Sequence, residues 1–170
     1  MLTNEKIAAI HANAVAHGFW EPGSEPTFGE YCALIHEEIS EAFSAWRNNE
    51  PDEYVDDNGK LHGVWVELAD VVIRCADAIA AWNLKVHKKE LLQVPSFYIH
   101  MGFAEFISYL HWRIADAHMC GISRILGDRI MDTVNIIYSR ADHTGIDLDA
   151  VIDRKCAYNA TRPYRHGKRM

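Results

Sequence analysis

Apolar side chains recur every three or four residues along most of this chain, and that periodicity decides the fold class. Phe28, Tyr31, Ile35, Ile39, Phe43 and Trp46 form one such stripe, and Trp65, Leu68, Val72, Cys75, Ile79 and Trp82 form another. A spacing near 3.6 gathers these side chains on one face of a helix, whereas a strand needs strict alternation, which no segment shows convincingly. The spacing predicts helices near 3–17, 28–48, 61–82, 98–120, 123–141 and 147–160, and hence an all-α helical bundle. Breakers separate them: HGFWEPGSEPTFG, NNEPDEYVDDNG, VPS and HTGID. Thr27 and Glu30 have the spacing of a capping box at the start of the second helix. With 170 residues, 49% of them hydrophobic, and no break in composition, the chain is expected to form one domain over 1–170.

Charge and cysteine usage narrow the function. Seventeen Lys and Arg against 24 Asp and Glu leave a net charge of −7, which argues against a general nucleic-acid or membrane-surface binder. Cys32, Cys75, Cys120 and Cys156 lie far apart with no CxxC pair, so buried free thiols in a reducing compartment are expected. MLTNEKIAAI lacks a basic segment followed by an apolar run, and VVIRCADAIAAW is interrupted by Arg74 and Asp77, so a cytoplasmic protein is expected. The acidic stretch from Glu50 to Asp57 lacks EF-hand spacing and is expected to be a solvated loop.

Within LIHEEISEAFSAWR, Glu38 and Glu41 share a face beside the apolar stripe, where like charges oppose folding by about 0.2–0.5 kcal/mol. The next helix repeats the arrangement with Glu67 and Asp70 in VWVELADVVIRCADAIAAW. Two such pairs on consecutive antiparallel helices can converge in a bundle core, and four hard oxygen donors suit Mg²⁺ or Mn²⁺. The competing reading is that each pair simply faces water. Asp77, two turns beyond Asp70, either reaches the same cleft or pairs with Arg74 on the surface, and the spacing favours the pairing. Glu37 is turned about 100° from Glu38, toward solvent or a supporting role.

The chain ends DRKCAYNATRPYRHGKRM, a reversal of charge in an acidic protein. Lys155, Asn159 and Arg162 align along one face of a final helix before Pro163, followed by Arg165, His166, Lys168 and Arg169. Such a cluster suits an anionic ligand such as a polyphosphate, against the alternative of a solubilising basic terminus. The amide of Asn159 adds hydrogen-bond discrimination.

With these residues the chain resembles the MazG-like, all-α nucleoside triphosphate pyrophosphohydrolases of bacteriophages and bacteria. The resemblance rests on Glu38-Ile39-Ser40-Glu41 and Glu67-Leu68-Ala69-Asp70, on HANAVAHGFWEP, and on KCAYNATRPYRHGK, and it covers roughly residues 7–82 and 145–168. It implies hydrolysis of a (deoxy)nucleoside triphosphate to the monophosphate and pyrophosphate, for cleansing or adjusting the nucleotide pool. It further implies Mg²⁺, with Mn²⁺ as substitute, on Glu38, Glu41, Glu67 and Asp70. Lys155, Asn159, Arg162, His166 and Lys168 would bind the substrate's phosphates or sugar. A homodimer or dimer of dimers with sites near subunit interfaces follows from the same likeness.

Residues 83–144 depart from a compact member of that family and form an inserted helical pair. YLHWRIADA (109–117) aligns with LIHEEISEA (34–42), setting Arg113 on Glu38 and Asp116 on Glu41. DRIMDTVNI aligns with VELADVVIR, setting Arg129 on Glu67 and Asp132 on Asp70. The insertion therefore reads as a degenerate repeat that completes a bundle without a metal site, Arg113 and Arg129 forming surface salt bridges or facing the substrate. His36 and His111 occupy matching places. Asp142-His143 superficially suggests HD phosphohydrolases, but with reversed order and no further ligands. Trp20 either stacks on a base or plugs the core beneath a loop. Two other functions stay open: a different all-α phosphohydrolase, acting on dUTP-like or alarmone substrates, and a non-catalytic helical partner protein.

Overall fold

The structure, a computed structural model, describes residues 2–87 and 96–167. It is an all-α bundle, with helices α1 (Asn4–Ala16), α2 (Phe28–Arg47), α3 (Val64–Ala81), α4 (Ser96–His100), α5 (Phe103–Met119), α6 (Leu126–Thr144) and α7 (Leu148–Asn159). Three of the starts are fixed by a side-chain cap. Thr27 Oγ1 accepts from Glu30 N at 3.2 Å while Glu30 accepts from Thr27 N at 2.8 Å, so the capping box of α2 is formed. Thr3 and Asp147 cap α1 and α7 in the same sense, and Gly145 ends α6 in a left-handed conformation, φ 77°.

Helices α2, α3, α5 and α6 pack as a four-helix core, with α1 and α7 flanking α3. That central place explains the near-continuous apolar composition of α3: Val66, Leu68, Ala69, Val71, Val72, Cys75, Ala76 and Ala78 are wholly buried. Burial of one Val or Leu side chain contributes roughly 1.5–3 kcal/mol, so α3 is the main anchor of the fold. Phe106, Leu110, Leu126 and Val134 from the inserted segment are equally buried, and all six long helices contribute to a single hydrophobic cluster. No described helix is long and apolar enough to cross a membrane.

Four expectations about elements need correction. The acidic loop contains a short antiparallel hairpin, β1 (Tyr54–Val55) with β2 (Leu61–His62), paired Tyr54 to His62 and Val55 to Leu61. Asp56 Oδ1 accepts from Asn58 N at 2.9 Å and Lys60 N at 2.8 Å, which folds the turn. Leu61 is therefore in a strand, and α3 starts at Val64. The helix expected over 98–120 is two helices broken at Met101-Gly102, and α6 begins and ends three residues later than expected.

Candidate functional site

Glu38 on α2 and Glu67 and Asp70 on α3 converge, each offering an oxygen within 4.8 Å of the others'. Glu38 and Glu67 are buried because their helices press these faces together. Two cations share the cluster. Arg74 Nε and Nη2 both donate to Glu38 Oε1 at 3.2 Å, and Lys155 Nζ on α7 lies 2.8 Å from Asp70 Oδ2. Arg74 follows Glu67 by seven residues, so one stripe of α3 carries both, a signal the acids overshadowed in the sequence.

Burial pushes the Glu38 carboxyl up to about 7, with the Asp70 charge adding to the rise and Arg74 opposing it. Burial also lifts Glu67 to about 8, against the pull of Lys155 and with the other acids reinforcing it. For Lys155 burial works against the charge, but Asp70 and its neighbours outweigh it and hold the ammonium more firmly protonated. Three acids thus meet two cations at close quarters, and their hard carboxylate oxygens, once ionised, fit a small divalent ion such as Mg²⁺ or Mn²⁺.

The acids open on a cavity of about 140 Å³, which Glu41, Lys155, Asn159 and Arg162 also line. Glu41 is exposed there, outside the close triad, and Glu37 is exposed. Asn159 is 9% exposed, and its Oδ1 has no hydrogen-bond partner among the described residues. Helix α7 stops at Asn159, so Arg162 sits in the following turn and not on the helix face expected for it; it nevertheless reaches the cavity wall. Lys168 and the side chain of His166 lie outside the described residues.

Asp77 does not pair with Arg74. Tyr31 donates its hydroxyl to Asp77 at 2.5 Å, Trp20 Nε1 donates at 3.0 and 3.1 Å, and His11 Nδ1 lies 2.6 Å away. Trp20 is consequently a plug, packed on Tyr31 and edge-on to Trp82, and not an open platform for a base. The arginines of the insertion do not line the cavity. Arg113 pairs with Asp132 at 2.9 Å and both are buried, so this is no surface bridge; Arg129 Nη1 lies 3.0 Å from Asp116 Oδ2, near enough to pair but without hydrogen-bond alignment. Asp142 and His143 are exposed, with the His143 ring edge-on to His100.

Sequence spacing also missed how the two ends of the chain meet. Arg165 N donates to His17 O at 2.8 Å, Arg165 Nε to Gly18 O at 3.0 Å, and Tyr164 Oη to Glu21 at 2.6 Å. The HGFWEP loop and the RPYRHG turn thereby form one wall, and Ile10, Asn13, His17 and Phe19 line the cavity beside it. Gly18, at φ 82°, lies under the Tyr164 ring, where a Cβ would collide. No family model, curated protein or solved structure matches this chain.

Proposed function

We propose that this chain is a Mg²⁺-dependent nucleoside triphosphate pyrophosphohydrolase of the MazG-like kind, which converts (d)NTP to (d)NMP and pyrophosphate in adjusting or cleansing a nucleotide pool. One observation carries the reading: three carboxylates from α2 and α3, two of them buried, converge within 4.8 Å in a cavity that also presents Lys155 and Arg162.

A divalent ion held by Glu38, Glu67 and Asp70 would supply charge neutralisation on phosphoryl oxygens and a more acidic water. Glu41, exposed in the same cavity, is placed either to complete the ligand set or to accept a proton from the attacking water. Lys155 and Arg162 bring positive charge to the polyphosphate. The unpartnered Asn159 Oδ1 is an acceptor, which suits a sugar hydroxyl better than a phosphate oxygen. Ile10, Asn13, His17 and Phe19 offer an apolar and amide wall for the sugar or base end. At about 140 Å³ the cavity falls below the roughly 300–1,000 Å³ of an enclosing small-molecule site, so a nucleotide would seat one part there and leave the rest in the opening.

The test is a panel of nucleoside triphosphates with Mg²⁺, scored for the phosphate species released. Pyrophosphate is expected, with Glu38→Gln and Asp70→Asn each lowering kcat by about a hundredfold or more. Orthophosphate would point to a different phosphohydrolase, and an absence of hydrolysis to a helical partner protein.

A further inference from the structure

We propose that α5–α6 is a second copy of α2–α3 standing where a second subunit would stand, with its acid quartet converted into two internal ion pairs. One chain then forms the whole bundle around a single metal site and works as a monomer. The role given to the quartet rests on the metal-site reading above; the pairing of the helices does not.

Four observations carry it. The offset that sets Arg113 on Glu38 and Asp116 on Glu41 also sets the first residue of α5, Phe103, on the first residue of α2, Phe28. The second offset, which sets Arg129 on Glu67 and Asp132 on Asp70, likewise brings the start of α6, Leu126, onto the start of α3, Val64. The matching rested on mid-helix residues, so the coincident starts are independent of it. Burial follows the same register: Tyr31 and Phe106, Ile35 and Leu110, Ile39 and Ile114, and the charged pair Glu38 and Arg113 are all buried.

Like helix also packs on like, α2 on α5 and α3 on α6. At the centre of the first contact His36 meets its own counterpart His111, Nδ1 to Nδ1 at 2.8 Å with ring centroids 5.1 Å apart. Toward the ends Phe28 meets His118 at 6.0 Å, and Trp46 meets Phe103 at 5.4 Å. The start of each helix therefore lies against the end of the other, with equivalent residues meeting midway. Reciprocal contact of this kind is the mark of a two-fold interface, which here lies inside one chain.

The charges complete the case. Each arginine of the second quartet faces an acid retained on the other helix, Arg113 with Asp132 and Arg129 with Asp116. Two arginines and two aspartates sum to zero, so this quartet needs no ion, whereas the first quartet is all acid. Because α5 and α6 already cover the inner faces of α2 and α3, the dimer that the family likeness implies is not needed to bury them.

Two measurements test the proposal. Sedimentation equilibrium of the full chain should give a monomer with and without Mn²⁺; a dimer would overturn the claim that one chain works alone. In the Arg113→Glu/Arg129→Glu variant, which restores four acids, Mn²⁺ titration by calorimetry should rise from one site per chain to two. Should that variant unfold without metal, Mn²⁺ is expected to restore its helical circular dichroism. The single Arg129→Glu variant, changed at a half-exposed position, is expected to fold and to gain a weaker second site. Absence of a second site in both variants would overturn the equivalence of the quartets. A monomer that binds no Mn²⁺ would remove the functional reading and leave the one-chain bundle standing, whereas a Mn²⁺-binding dimer would keep the functional reading and overturn the monomer.

Discussion

Asp70 and Asp77 lie two turns apart on α3, and their surroundings separate a carboxylate that opens on the candidate site from one locked inside the core. Asp70 has Lys155 beside it and opens on the cavity with two other acids. Asp77 is 4% exposed and receives donors from three side chains that lie 46, 57 and 66 residues away in the chain. Spacing along one helix sees only neighbours at three and four positions, which is why Arg74 looked like the partner of Asp77 and not of Glu38. Asp77→Ala would strand the Tyr31 hydroxyl and the Trp20 indole nitrogen inside the core. The expected loss is about 3 kcal/mol or more, read as a lower urea midpoint at unchanged slope. A loss of a few tenths would mean that α1 is held to α3 by apolar packing alone.

At the scale of elements, what the sequence revealed and what it hid divide by length. The long helices were legible because their apolar stripes repeat over several turns, and α2 announced its first residue through Thr27 and Glu30. The hairpin was not, because strands of two residues carry no period to read. Its closing residue is the more telling feature. Gly63 has φ 123° and ψ 164°, and a Cβ there would come within 2.6 Å of Asp52 O and 2.7 Å of Pro51 O. That conformation is essentially open to glycine alone, and the close approach brings Trp65 N to Asp52 O at 3.1 Å at the start of α3. Gly63→Ala should therefore destabilise the protein by roughly 1–3 kcal/mol. The melting temperature is expected to fall by several degrees, and metal affinity to weaken, because Glu67 sits in the first turn that Gly63 positions. An unchanged melt would show that the loop refolds around the new methyl group.

For the molecule as a whole, the acids tie stability to pH and, on the proposed reading, to metal. Glu38 at about 7 and Glu67 at about 8 both stand above the 4.5 of an unburied glutamate. With folded values raised, the folded chain holds more protons than the unfolded chain across that interval. Their contribution is complete below pH 4.5 and is lost as pH rises through 7 and 8. The slope is up to about 1.4 kcal/mol per pH unit for each extra proton held. A divalent ion at the proposed site would bind the same oxygens in their ionised form, so its affinity should change in the opposite direction, growing as these protons leave. In chelator the melting temperature should fall between about pH 5 and pH 9, while saturating Mg²⁺ should flatten or reverse that fall. The gap between the two curves should be smallest at the acid end. A gap independent of pH would separate the ion from Glu38 and Glu67, and with it the burial of these carboxylates from any role in holding metal.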